Sequence, residues 1–279
     1  MCLVDLHMHS TYSDGSDSPE ELAQIALNNG VIGASLTDHD IIEGSLIFAE
    51  KCRKMDIEAI AGIEVSAISD NTLHILGYYP NKIENKLFEF LSKMRKEREL
   101  RTGKMLTILQ SQGVMISEQD VYKEATSNNI SRAHMAKALV TLRYATSIKD
   151  AFDRYLGPKC KAYISKEIFQ PQEVISIIRN TGGVPVLAHP YAMKLGRDEL
   201  DKYVRNLSQM GLMGIEAFYP DYGLSETSYL LSLAQKYSLI ITGGSDYHGN
   251  NKPWINIGIG RGNLRVPYSA IEKIREAVF

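Results

Sequence analysis

A chain of 279 residues, 44% hydrophobic and 23% charged, suits one barrel-sized domain or two smaller ones with a sizeable core. The formal net charge of -2 provides no overall basic field for nucleic acid or a membrane surface, so an anionic partner must be held by a local cluster. Cys2, Cys52 and Cys160 make neither an even set nor a paired metal spacing. No run has transmembrane length, and the first strand leaves no room for a signal peptide; a soluble cytoplasmic enzyme with no membrane partner is predicted.

In chain order, an apolar strand at Leu3 to Leu6 runs into Asp5-Leu6-His7-Met8-His9-Ser10, with Asp14 shortly after. Side chains at i and i+2 of a strand share a face, so one ion can take His7 and His9 together. A helix follows from Pro19, opened by a capping box of Ser18 and Glu21 and stopped by Gly30. A strand at Gly33 to Leu36 enters Thr37-Asp38-His39-Asp40, and a helix runs through Ile47 to Met55. The next strands, Glu58 to Ile63 and Leu73 to Tyr79, bring Glu64 and His74. Such alternation is the signature of parallel strands with crossover helices.

Between Tyr79 and about Ala162 the alternation stops. Helices are predicted from Ile83 to Gln112, closed by Gly113, then after Ser117, after Ser131, and after Ser147 ending before Gly157. The stretch reads as a helical insertion at 81–159 within a barrel domain of 1–80 and 160–279. Its first helix carries Lys93, Arg95, Lys96, Arg98, Arg101 and Lys104 between Glu97 and Glu99, a spacing that suits a solvated face or a groove for a phosphodiester backbone.

Past the insertion, Val184 to Ala188 runs into His189-Pro190, Met213 to Phe218 is another strand, and Leu239 to Thr242 leads to Ser245-Asp246-Tyr247-His248. Six of the seven histidines thus stand at or next to a strand end, joined by Asp14, Glu64 and Asp246. Ligands from nearly every strand favour a closed (β/α) barrel, whose carboxyl ends open on one face, over an open sheet that gathers ligands only at its switch point.

Nitrogen and oxygen donors without a thiolate suit manganese, iron or zinc, and they are more than one ion needs. A carboxylate such as Glu64 can bridge two ions, and paired ions about 3.5–4 Å apart clamp in-line displacement at phosphorus. Asp38 and Asp40 flank His39 and are expected to orient ligands rather than bind metal. Ser131 would cap a helix that opens with Arg132 and holds His134 in its first turn, so free N–H groups, a guanidinium and an imidazole make an anion site. Arg132 and His134 are therefore candidate catalytic and substrate-binding residues. For His134 a phosphate contact and protonation of the leaving oxygen both stay open. Lys161 or an arginine between Arg95 and Arg101 would assist, and Tyr79, Tyr191, Tyr219 and Tyr247 are candidates to flank a base.

Taken together, His7-Met8-His9, Thr37-Asp38-His39, Gly62-Ile63-Glu64, Ala188-His189-Pro190 and Ser245-Asp246-Tyr247-His248 resemble the signature motifs of the PHP (polymerase and histidinol phosphatase) superfamily, over Asp5 to His248. The insertion with Ser131-Arg132-Ala133-His134 resembles the bacterial nucleoside 3′,5′-bisphosphate phosphatase, or RNase AM-like, branch. The resemblance implies an α/β fold, a distorted (β/α)7 barrel carrying an inserted helical subdomain. It also implies a trinuclear centre: one metal on His7, His9, Glu64 and Asp246, a second on Glu64, His74 and His189, a third on Asp14, His39 and His248.

The expected cofactors are two or three divalent transition metals, manganese first, with iron or zinc as alternatives. The implied activity is metal-dependent hydrolysis of the 3′-phosphate of nucleoside 3′,5′-bisphosphates such as pAp, with 5′→3′ trimming of short 5′-phosphorylated RNA. A histidinol-phosphate phosphatase is the alternative within the superfamily, although that task needs no second anion site. A non-catalytic regulatory module would be expected to have lost ligands, and an amidohydrolase would call for a strand-end lysine suited to carbamylation, which the sequence lacks.

Overall fold

The computed structural model describes residues 3–68, 73–125, 130, 132–164 and 169–278. Strands Leu3–Asp5 (β1), Val31–Ala34 (β2) and Glu58–Ala59 (β3) pair in parallel in that order. Ala61–Ser66 (β4), His74–Tyr79 (β5), Val184–Leu187 (β6), Gly214–Phe218 (β7) and Ile240–Gly243 (β8) form a second, five-stranded sheet in chain order. Two seams join the sheets into a barrel. The Leu6 N–H donates to the Gly243 carbonyl at 3.2 Å and Met8 bridges Tyr247, linking β1 to β8. His39 bridges Glu64, linking the end of β2 to β4. Where the chain after β8 passes β1, a Cβ on Gly244 would overlap the backbone of His7, so this seam requires glycine.

Two features depart from the pattern read in the sequence. The expected strand Glu58 to Ile63 is broken at Ile60, so its first half pairs with β2 and its second half with β5. In addition, β5 runs antiparallel to both β4 and β6, where uniform alternation predicts parallel strands. Only residues 67–73 separate β4 from β5, too few for the crossover of about a dozen residues that parallel neighbours need. Reversal turns the first residue of β5 to the face where the other strands end, and that residue is His74.

Helix Pro19–Asn28 (α1) starts on the Ser18–Glu21 capping box, and Glu43–Arg53 (α2) follows β2. The helical insertion contains Asn85–Ser111 (α3), Glu118–Lys123 (α4) on a Ser117–Asp120 capping box, Arg132–Thr141 (α5) and Ile148–Ala151 (α6), which continues as a π-helical turn through Leu156. Ser131, the expected cap of α5, lies outside the described residues. Pro171–Asn180 (α7), Arg197–Gln209 (α8), Leu224–Lys236 (α9) and Ser269–Glu276 (α10) complete the outer layer.

Helix α3 has 27 residues, about 40 Å at 1.5 Å per residue. Its first half buries Leu87, Leu91 and Met94 against Ile75, Ile178 and Leu187 of the barrel side. Its second half buries Met105, Leu106 and Leu109 in a separate core with Val121, Met135, Leu139 and Leu156. The spacing of these residues puts both apolar segments on one stripe of the helix, with Arg98 and Arg101 on the same stripe between them. None of the described helices is long and apolar enough to cross a membrane.

Candidate metal centre and its anion cavity

One rim of the barrel collects the predicted ligands. His7 and His9 follow β1, His39 follows β2, Glu64 lies in β4, His74 opens β5, His189 follows β6, Asp246 and His248 follow β8, and Asp14 comes from the loop before α1. Four sets bring ligand atoms within 4.8 Å of one another: His9, Asp14, His39 and His248; His7, His9 and Asp246; His7, Glu64 and His189; His39, Glu64 and His74. Each of the nine predicted metal ligands belongs to at least one set.

Glu64 is the hub. Its Oε1 lies 2.7 Å from His74 Nδ1 and 2.8 Å from His189 Nε2, and its Oε2 lies 3.1, 3.2 and 3.3 Å from His39 Nδ1, His9 Nε2 and His7 Nε2. Ring nitrogens also face one another, His7 Nε2 to His9 Nε2 at 3.1 Å and His74 Nδ1 to His189 Nε2 at 3.3 Å. Two ligands held about 2.1 Å from a common ion stand this far apart, and an all-nitrogen-and-oxygen donor set suits a divalent transition metal. Burial pushes the Glu64 carboxyl up, but the charges of His39, His74 and His7 outweigh it and hold the group well below the usual range. Burial lowers His9, yet hydrogen bonds with Asp246 and Glu64 raise it to about 9. A metal ion and a proton therefore compete for the same nitrogen.

Buried acids outside this ring fix its geometry. Glu216, fully buried in β7, accepts from His7 Nδ1 at 2.9 Å and from the His189 backbone N–H at 2.7 Å, which sets the His7 tautomer and turns Nε2 inward. Sequence reasoning missed Glu216; the available signal was an acid inside the apolar run Gly214 to Phe218. Asp5 accepts the N–H groups of Ser245 and Gly258, both at 2.8 Å, and burial pushes its carboxyl up to about 6. Asp38 takes the Ser10 N–H at 2.7 Å and the hydroxyls of Ser10 and Ser13 at 2.6 Å, holding the loop that carries Asp14. Asp40 accepts the Ser66 N–H at 2.8 Å and pairs with Arg98. Asp40, His189 and Asp246 have φ of 56°, 25° and 51°, a strained region for residues with side chains that is maintained here by the surrounding bonds.

Beside the ligands lies a cavity partly open to solvent, lined by Asp14, His39 and His74 from the barrel side and by Arg98, Arg101, Arg132 and Phe152 from the helical side. Arg101 Nε donates to the Ile164 carbonyl at 2.9 Å, and Arg132 Nη1 donates to the Leu156 carbonyl at 3.3 Å. The Arg132 guanidinium also sits 5.7 and 5.3 Å from the ring centroids of Phe152 and Tyr163. Burial pushes Arg98 and Arg101 down to about 10, which leaves both charged at neutral pH. Of the predicted basic face, Arg98 and Arg101 thus reach the cavity, Lys93, Lys96 and Lys104 stay exposed, and Arg95 pairs with Glu43 at 3.4 Å.

Other sequence candidates stand elsewhere. His134 is 2% exposed and is not among the residues lining the cavity. Its ring bonds to the Ser13 backbone, and burial holds it down to about 4. Lys161 is exposed and does not line the cavity. Tyr79 ends the reversed strand β5 and bonds Thr181 at 3.2 Å, which puts it at the opposite end of the barrel from the ligands. Tyr219 stands at the rim, its hydroxyl 2.6 Å from Asp246 Oδ2. Tyr191 packs on Tyr222 with ring centroids 5.2 Å apart, and Tyr247 donates to Asp17 at 3.1 Å.

A closed barrel that converges imidazoles and carboxylates on one rim, beside a cavity walled by guanidinium groups, is the architecture of a divalent-metal-dependent hydrolase of anionic esters. A family model described as the PHP domain matches residues 5–157, and the chain belongs to that family. It is 31% identical over 88% of its length to a phosphoribosyl 1,2-cyclic phosphate 1,2-diphosphodiesterase of Eggerthella lenta, covering 94% of that protein. It is 27% identical to a 5′-3′ exoribonuclease of Escherichia coli, over 92% of this chain and 88% of the relative. Identity to a 3′,5′-nucleoside bisphosphate phosphatase of Chromobacterium violaceum is also 27%, over 92% and 91% of the two chains. A solved structure from Bifidobacterium adolescentis, described as a metal-dependent phosphoesterase, superposes with a TM-score of 0.82 at 28% identity, covering 97% of this chain and 94% of that one. The protein is accordingly a metal-dependent phosphoester hydrolase with a PHP barrel.

Proposed function

We propose that the protein removes the 3′-phosphate from nucleoside 3′,5′-bisphosphates such as pAp, and takes short 5′-phosphorylated RNA from its 5′ end as a second substrate class. The observation that carries this reading is the cavity in which Arg98, Arg101 and Arg132 face Asp14, His39 and His74. One nucleoside with two phosphates needs two separate anion grips, and the two walls offer a metal-ligand side and a guanidinium side. The relatives named for a nucleoside bisphosphate and for RNA support the reading.

In the proposed site His7, His9, Glu64 and Asp246 would hold one divalent metal, Glu64, His74 and His189 a second, and Asp14, His39 and His248 a third, with manganese preferred over iron or zinc. Metals bound there supply charge stabilisation at the phosphoryl oxygens and acidify the attacking water. Arg132 and Arg101 grip the phosphate that is not cleaved, and Arg98, braced by Asp40, fixes the distance between the two grips. Phe152 offers an apolar surface to the nucleoside. His134, neutral and tied to Ser13, positions the segment carrying Asp14. The exposed Lys161 is left to phosphates of an RNA substrate that lie beyond the cavity.

A second reading, opening of a cyclic phosphate on a phosphorylated ribose, is favoured by the 31% identical relative and needs the same two grips. Turnover of pAp, AMP, phosphoribosyl 1,2-cyclic phosphate and histidinol phosphate by the Mn²⁺-loaded protein decides between them. The expected result is a kcat/KM for pAp about 100-fold above that for AMP, the worth of one charged contact of roughly 3 kcal/mol. Preference for the cyclic phosphate would select the second reading, and preference for histidinol phosphate or AMP would overturn both.

A further inference from the structure

We infer that a cleft on the β7–β8 side of the rim seats the base of the nucleotide joined to the 3′ side of the scissile phosphate. The inference rests on the phosphoesterase reading above and goes beyond it, because a nucleoside bisphosphate has no base at that position. The cleft, partly open to solvent, is lined by Tyr219, Pro220, Asp221, Lys252, Trp254 and Arg261.

Trp254 is the only tryptophan in the chain and is 55% exposed. An indole left this open at a cleft beside cationic side chains has the makings of a stacking platform for a base with an anion attached. Arg261 stands with its guanidinium 5.8 Å from the indole centroid, and its Nε is fixed on Asp221 at 2.8 Å. Lys252 Nζ and the Tyr219 hydroxyl each lie 2.6 Å from Asp246 Oδ2. The cleft is therefore one side chain away from a carboxylate proposed to hold metal.

Its placement gives a direction to the substrate. The arginine cavity is built by α3, α5 and the residues around the ends of β2, β4 and β5, whereas the cleft follows β7 and β8. A nucleotide with its 5′-phosphate on the arginines and its 3′-phosphate on the metal side continues toward the cleft. Water adds its oxygen to phosphorus, the P–O3′ bond breaks, and the 3′-oxygen leaves with a proton as the first nucleoside 5′-monophosphate. The phosphate stays on the downstream nucleotide, which becomes a new 5′-phosphorylated end fit for the arginine cavity. The cleft thus distinguishes an oligonucleotide from a bisphosphate.

Because Trp254 is the sole tryptophan, intrinsic tryptophan fluorescence reports on the cleft without any turnover. Titration with 5′-phosphorylated diadenylate carrying a phosphorothioate at the scissile linkage is expected to quench it saturably, and pAp is not. In hydrolysis, Trp254→Ala is expected to lower the ratio of kcat/KM for 5′-phosphorylated diadenylate to that for pAp at least about fivefold, the low end for losing one base–aromatic stack, with Trp254→Phe restoring most of it. Absence of quenching, equal quenching by pAp, or an unchanged ratio would each overturn the assignment. Quenching by the dinucleotide in a protein that fails to hydrolyse pAp would instead uphold the cleft and remove the bisphosphatase reading.

Discussion

Glu64 carries more of the site than any other residue, since five imidazoles converge on its two oxygens. Protein reconstituted with Mn²⁺ is expected to hold about two to three ions per chain, as a polynuclear phosphoryl-transfer site requires. Glu64→Ala should lose more of them, and more activity, than His74→Ala, because in the proposed arrangement Glu64 would bridge two ions and His74 would serve one. Elemental analysis and turnover decide this together, and equal mild losses would contradict the bridging role. Six of the seven histidines were legible as a group in the sequence because each follows or opens a strand. Glu216 was not, because a lone acid in an apolar strand has no spacing to mark it, and only the fold shows that it faces His7.

His134 gives a pH prediction of definite sign. Burial holds it at about 4, below its ordinary 6.5, so the unfolded chain takes up this proton first. The stability it contributes is complete above the ordinary value of 6.5 and is lost as the pH falls toward 4. In chelator-treated protein, Tm should therefore fall more steeply across that window in wild type than in His134→Gln. Parallel curves would show that the imidazole is not held neutral. The sequence identified His134 as part of an anion site from its place in the first turn of α5. That it points to the Ser13 backbone follows from tertiary packing, to which helix position is blind.

Among the elements, α1 was readable to the residue because its start is encoded locally by Ser18, Pro19 and Glu21. The reversal of β5 was not, since the composition of a short apolar strand says nothing about its direction; the seven-residue connection was the available clue. Helix α3 shows the same limit. Arg98 and Arg101 fall on the same stripe as the buried Leu91, Met94 and Met105, a spacing that sets them apart from Lys93, Lys96 and Lys104, but only the fold shows that this part of the stripe opens on a cavity.

The boundaries 81–159 remain a proposal for the insertion, and its separate core gives a way to test it. Leu109→Ala, at a fully buried position of that core, should cost about 2–5 kcal/mol. Hydrogen exchange is expected to show lost protection in α4 and α5, with β4 to β8 and the metal content unchanged. Loss of protection across the barrel as well would mean that the two cores unfold as one unit, with α3 as the rigid strut between them.

At the scale of the whole molecule, the barrel brings the nine predicted metal ligands to one rim and α3 carries guanidinium groups across to it, so that both line one cavity. The fold class was legible, and so was the convergence of these side chains on one rim, because strand ends and six of the histidines coincide. The pairing of Arg98 and Arg101 with Arg132 was not, because they lie on different helices more than thirty positions apart. The most direct test compares kcat/KM for pAp and for p-nitrophenyl phosphate in wild type and Arg132→Ala, at equal metal content. Hydrolysis of pAp is expected to lose roughly 2–4 kcal/mol of transition-state stabilisation, the range for removing a buried charged partner, while p-nitrophenyl phosphate, which lacks a second phosphate, changes little. Equal loss with both substrates would put Arg132 on the reacting phosphoryl group, and no loss with either would make it a packing residue; either result contradicts the two-phosphate grip.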